Sequence, residues 1–337
     1  MTGTAMLDPA TRTSRLRRFR FGAGGEGNKD EGGARNFIRL AQHAEDLGYD
    51  TFAVPDHLGN QVGPLAALGA LSQATSSIRL ATSVLANGFR HPAILAKEAT
   101  TIDVLSRGRL ELGIGAGWLK DEFRQAGIDF GPPGERIRRL DEALTVLDGL
   151  LRGETVDFAG EFYRISGLQG SPRPRQGPRP PIAVGGGGPR MLALAARHAD
   201  IISVATRSTP DGKLRLSDMT IESTLERVDR IREAAGERFD EIELNWTIAA
   251  VVPTDDRVAA AELALKALDS GYPPTIERDA ELTVDDLLAS PYLAFGTVKE
   301  IAEHIREVRR RTTMSYVGVF PTQMDAFAPV IPLLREE

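Results

Sequence analysis

Cysteine is absent from the 337 residues. Disulfides, thiolate metal sites and cysteine nucleophiles are therefore excluded. The histidines, His43, His57, His91, His198 and His304, show none of the paired spacing of an HExxH zinc site, so no metal site is expected. No GxSxG elbow is present, which removes the familiar serine-hydrolase route. Long hydrophobic runs are missing too: no window reaches the ~18 apolar residues of a membrane span. The N-terminal stretch "MTGTAMLDPATRTSRLRRFR" lacks the apolar core of a secretory signal and reads as a loose tail over 1–18. Positive charge is not in excess, and the net charge of −6 argues against nucleic acid and anionic lipid as partners. These absences predict a cytoplasmic protein.

What is present is a rhythm. With 42% hydrophobic residues the chain can bury a large core. From Phe19 short apolar runs alternate with longer stretches of helical spacing, the pattern of parallel α/β structure. "RFRFGAG", "TFAVP", "SIRLATSVL", "RLELGIGAG", "PIAVGGGG", "DIISVAT", "EIELNWTIAAVV" and "SYVGVFP" read as strands one to eight. "ETVDFAGEFYRIS" suggests a hairpin, and the Pro/Arg-rich "GSPRPRQGPRPP" that follows reads as part of an insertion, because strand-helix units resume at once. Eight such units predict one (β/α)8 TIM barrel over 19–337, with insertions near 154–180 and 255–293; an open doubly wound sheet is the alternative.

In a barrel, the ends of the strands carry function. Gly185, Gly186, Gly187 and Gly188 follow strand five, and Pro189 starts a helix. Glycines allow close backbone approach, and the helix's first N–H groups favour an anion, so a phosphate is expected here, with Arg190 adding direct charge. A tight turn needing positive φ is the plainer reading. The run lacks the GxGxxG spacing of a dinucleotide fold. Asp56 and His57 stand just beyond strand two, where an imidazole is suited to exchange a proton near neutral pH and a neighbouring carboxylate to orient it. The alternative is a helix N-cap and a surface histidine. His91 before Pro92 reads as a helix-start residue. Glu111 reads as a barrel-interior charge paired with an arginine. Gly113, Gly115 and Gly117 leave room for a flat ligand on the strand-four end, with Trp118 either walling it or packing under a helix.

The segments "AEDLGYDTFAVPDH", "LATSV", "HPAILAKEATTIDVLSRGRLELGIGAGW" and "PIAVGGGG…AARHADI", in that order, resemble the luciferase-like monooxygenase superfamily, and within it the branch that uses the deazaflavin coenzyme F420. The resemblance runs from about Phe19 to Val204, with a weaker match through "AFGTVKEIAEHI". It implies a barrel with an insertion that binds FMN or F420 at the C-terminal strand ends. It implies a non-prolyl cis peptide at Ser83 and Val84 that supports the cofactor ring, with Ala116, Gly117 and Trp118 lining it. The glycine run from Gly185 corresponds to the segment that takes the cofactor phosphate, and Asp56 and His57 to a pair near the cofactor. The superfamily's sugar-phosphate dehydrogenases have an aromatic residue soon after the histidine and an acidic residue in the strand-four loop. This chain has Gly59, Asn60 and Gln61 in the first region and Trp118 in the second, which speaks against a sugar phosphate.

The function so implied is hydride transfer between the deazaflavin C5 and a small organic substrate, with reduction of an activated C=C or C=N bond as the expected reaction and the reverse oxidation of an alcohol as its alternative. The rivals are a two-component monooxygenase using FMNH2, O2 and a separate flavin reductase, and a non-catalytic cofactor-binding barrel. The resemblance also implies a homodimer formed by the helices around strands two and three.

Overall fold

The computed structural model of the protein describes residues 16–24, 33–59, 61–209 and 212–337; most of the N-terminal tail, and Asn60, lie outside the described residues. Strands β1 (Arg20–Gly24), β2 (Thr51–Val54) and β3 (Arg79–Thr82) alternate with helices α1 (Gly33–Asp46) and α2 (Pro64–Ala74). A two-residue strand β4 (Leu85–Ala86) and helix α3 (Pro92–Leu105) lead to β5 (Leu110–Gly115). Helices α4 (Lys120–Ala126) and α5 (Pro133–Leu151) and the hairpin β6 (Thr155–Ala159) and β7 (Arg164–Gln169) come next. Then follow β8 (Ile182–Gly186), α6 (Pro189–His198), β9 (Ile201–Val204), β10 (Leu214–Arg215), α7 (Ile221–Ala235) and β11 (Glu243–Ile248). Strand β12 (Ala250–Pro253), α8 (Arg257–Asp269), β13 (Ile276–Glu277), α9 (Val284–Ala289) and β14 (Leu293–Gly296) precede α10 (Val298–Thr312) and β15 (Tyr316–Val319).

Strands β1, β2, β3, β5, β8, β9, β11 and β15 pair in parallel, and β15 returns to β1. This is the closed (β/α)8 barrel that the alternation predicts, and its strands lie in the eight apolar runs. The open-sheet alternative falls, because a doubly wound sheet has two edges and this one has none. Proline at the first position opens α2, α3, α5 and α6, where its missing N–H costs no intrahelical bond. Helix α10 opens on a capping box between Thr297 and Glu300. All six residues of β5 are buried, so it behaves as a strand sealed on both faces.

Two departures from the sequence reading have physical causes. "EIELNWTIAAVV" reads as one strand, yet the chain leaves the barrel after Ile248. Its second half, β12, pairs with β14 instead. Around that pairing Leu216, Met219, Ala261, Leu268, Leu287, Tyr292, Leu293 and Phe295 form an apolar cluster separate from the barrel core. Helix α4 is too short to show a helical period in sequence, and it ends at Gly127 in the left-handed region (φ 69°).

At the N-terminal end of the barrel Glu111 is buried between Arg20 and Arg79, and Arg20 also pairs with Glu243. Glu111 is therefore the interior charge with arginine partners that the sequence suggests. Burial pushes the Glu243 carboxyl above its usual range against the pull of Arg20.

Candidate functional site at the C-terminal strand ends

The floor of the site forms where β3 stops. The Ser83–Val84 peptide is cis, as the resemblance implies. Here the Thr82 hydroxyl replaces the backbone ladder, donating to the Gly113 carbonyl (2.7 Å) and accepting the Gly113 N–H (2.8 Å). Only glycine fits at 113, because a Cβ would stand 1.9 Å from the Thr82 carbonyl oxygen. The Val84 side chain then spreads over the neighbouring strand ends: a Cβ on Gly115 would meet it at 3.0 Å and one on Gly185 at 3.5 Å. Val84 thus packs across Gly115 and Gly185 at the ends of β5 and β8.

The four glycines divide by task. A Cβ on Gly186 would lie 2.3 Å from Met191, and one on Gly187 would lie 2.3 Å from the Ala205 carbonyl, so these two serve packing. Gly188 has nothing within 4 Å and is the N-cap of α6. None of the four has positive φ, so the tight-turn reading gives way. Arg190 is exposed on the first turn of α6, with a guanidinium nitrogen 3.6 Å from where a Cβ on Gly134 would be. That brings it to the first turn of α5, which carries Arg136 and Arg139.

Asp56 has a different task from the one its place beside His57 suggests. It is buried and takes a bidentate pair from Arg90 (2.5 and 2.8 Å) and the Ala86 N–H (3.0 Å). It ties the end of β2 to the segment that follows Val84. The carboxylate that meets His57 is Glu122 of α4, whose two oxygens each lie 3.1 Å from Nδ1; Oε1 also accepts the Leu58 N–H (3.2 Å). A carboxylate only accepts, so Nδ1 carries the hydrogen and Nε2 is left with its lone pair or a second proton to exchange. Trp118 stands edge-on to the imidazole, ring centroids 5.8 Å apart. Gly117 before it is left-handed (φ 82°) and packs on Phe123.

Sequence reasoning missed Glu122, Arg90 and Asn87. The signal for Glu122 was an acid in "WLKDEF", one turn beyond the strand-four glycines. A narrow cleft beside Ala116 is lined by Asn87, Gly88, Phe123, Phe130, Arg136 and Arg139, with the carboxylates of Asp129 and Glu135 among them. Asn87 Oδ1 and Arg136 Nε are buried there without a hydrogen-bond partner. The hairpin strands are largely exposed, and its turn is held to α5. Glu142 of α5 accepts the N–H groups of Glu161, Phe162 and Tyr163, and the Tyr163 hydroxyl accepts from Asn87 Nδ2 (3.3 Å). His91 caps α3 by accepting the Ala93 N–H, in keeping with its reading as a helix-start residue. Among the described residues no three His, Cys, Asp or Glu side chains gather as a metal site, and no helix is long and apolar enough to cross a membrane.

A closed parallel barrel whose candidate site sits on the C-terminal strand ends defines the general class. The sequence signature of the luciferase-like monooxygenase family matches residues 18–315, and the chain belongs to that family. An F420-dependent glucose-6-phosphate dehydrogenase of Microbacterium testaceum is 33% identical over 54% of this chain, and the match spans only about half of that relative's length, 55%. A namesake from Nakamurella multipartita is 30% identical over 86% of each protein. The FMNH2-dependent dimethylsulfone monooxygenase of Pseudomonas putida is 29% identical over 68% of this chain and 62% of its own. Among solved structures, the coenzyme F420 dependent tetrahydromethanopterin reductase of Methanopyrus kandleri superposes with a TM-score of 0.70 at 19% identity, covering 94% of this chain and 100% of that one; this likeness concerns the fold.

Proposed function

We propose that this protein is an F420-dependent oxidoreductase that transfers a hydride to or from a small organic substrate, with reduction of an activated C=C or C=N bond as the favoured direction. The observation that carries the reading is His57, fixed through Nδ1 by Glu122 just beyond β2, on the same end of the barrel as the Val84 segment and the glycines it packs on. The Val84 segment would carry a planar ring, and the orphaned Asn87 oxygen and Arg136 nitrogen beside Ala116 would meet its polar edge. Gly188 and the first N–H groups of α6 suit a phosphate, with Arg190 and Arg136 nearby. Bound there, F420 would supply hydride exchange at C5. The chain's own part is to hold the ring on Val84, to exclude water with Trp118, and to move a proton at His57 Nε2. Asp56 acts as a positioning residue, holding the Val84 segment through Arg90 and Ala86. The homodimer through α2 and α3 belongs to the same proposal.

A reduced-FMN monooxygenase served by a separate reductase is the second reading, favoured by the Pseudomonas putida relative. Equilibrium binding of F420 and FMN to the purified protein, by calorimetry, separates them. F420 binding at least ~100-fold tighter, about 2.7 kcal/mol, is expected. His57→Ala should keep cofactor affinity and lose roughly 100-fold in turnover. A preference for FMN would sink the deazaflavin assignment, and a tight cofactor complex with no turnover of any reducible substrate would leave a carrier.

A further inference from the structure

The outer wall of the site is apolar. Leu58, after β2, and Trp118, after β5, are large hydrophobic side chains left 52% and 46% exposed at the C-terminal strand ends. They belong together: the Leu58 N–H donates to Glu122, which fixes His57, and Trp118 stands against that same imidazole. From the far side the loop after β9 closes in, since a Cβ on Gly212 would stand 3.3 Å from the Trp118 ring and 3.5 Å from Leu119. Most cations of these loops are spent on carboxylates. Arg90 is bound by Asp56, Arg207 by buried Asp218, and Lys213 by Glu277. Lys120, exposed at the start of α4, has no ion pair among the described residues.

A phosphorylated or carboxylated substrate is held by several guanidinium or ammonium groups free to receive it, which Lys120 alone does not supply, and pulling Arg207 away would leave fully buried Asp218 to Arg227 alone. We infer that the substrate is an uncharged organic molecule with a flat apolar face, seated against Trp118 beside His57, and that Trp118 selects it. The inference rests on the oxidoreductase reading for what happens to the substrate, but the recognition is a property of the wall itself. It separates this chain from relatives named for glucose 6-phosphate.

Three probes test it: cyclohex-2-enone (neutral, conjugated), cyclohex-1-ene-1-carboxylate (similar ring, charged) and glucose 6-phosphate. Each is titrated into the protein with and without F420. Trp246 is fully buried in the barrel, so a change in tryptophan emission reports Trp118. The expected result is a saturable change with the enone, binding of the carboxylate at least about tenfold weaker by calorimetry, and no binding of the sugar phosphate, the tenfold being about 1.4 kcal/mol. Trp118→Ala should lose about tenfold in enone affinity and Trp118→Phe should restore most of it, which a merely structural tryptophan would not show. Absence of enone binding, equal binding by wild type and Trp118→Ala, or tight glucose 6-phosphate binding abolished by Lys120→Ala would overturn the inference. An enone response that survives where F420 does not bind would defeat the cofactor reading and leave this one standing.

Discussion

His57 depends on a partner that is remote in sequence. Glu122 lies 65 residues away and reaches Nδ1 with both oxygens, whereas adjacent Asp56 points its carboxylate to Arg90. Adjacent residues on an extended segment face opposite ways, so neighbours in sequence are poor partners in space. Glu122→Ala should therefore free the ring to exchange tautomers. In 15N-edited spectra the wild-type ring is expected as the Nδ1–H form and the variant as a mixture, with kcat down about tenfold and KM little changed, a share of the usual general acid-base contribution. An unchanged tautomer in the variant would show that Glu122 holds only the Leu58 backbone.

At the scale of the element, the hand-over from β8 to α6 explains why four glycines stand together. Gly187 passes so close to the end of β9 that any side chain would press on a backbone carbonyl, which cannot swing away as Met191 can from Gly186. Gly187→Ala is expected to destabilise the protein by about 1–3 kcal/mol, read as a lower urea midpoint. Gly188→Ala, with open space around it, should leave the midpoint unchanged and weaken only the affinity for the cofactor's phosphate end. Equal loss of stability in both variants would contradict this division. The elements hardest to read from sequence were β12, whose partner β14 lies far along the chain across α8 and α9, and α4, whose two turns are too short for a periodicity to detect.

Across the whole molecule, buried ion pairs tie the barrel to its additions. Asp218 is fully buried and accepts from the Arg207 guanidinium (2.6 Å) and the Arg207 N–H (2.6 Å), with Arg227 at 3.3 Å. Arg227 in turn donates to the Tyr292 hydroxyl, and Tyr292 donates to the Val204 carbonyl at the end of β9. Burial alone would raise the Asp218 carboxyl, but the Arg207 hydrogen bonds and the Arg227 charge outweigh it and hold the group below its usual range. A depressed folded pKa stabilises the fold fully above the ordinary aspartate value, and the effect is lost as pH falls through the lower one. Asp218→Asn should thus lower stability by about 3 kcal/mol at pH 7, and the gap from wild type should narrow as the pH drops below about 4. A gap that stays constant with pH would place the effect in packing rather than charge.

The sequence by itself determined the barrel and which residues stand at its C-terminal strand ends. Eight apolar runs alternating with helical spacing are local patterns, each set by its own burial, and they close in only a few ways. His57, the Val84 segment and the glycine run were legible for the same reason, since each follows directly on a strand. Tertiary structure alone decided which carboxylate orients His57, that Asp56 braces the Val84 segment, that Gly187 serves packing while Gly188 stays open, and that the arginine after β9 is neutralised by Asp218. Those outcomes turn on contacts between side chains brought together by closure of the barrel, and no spacing along the chain records them.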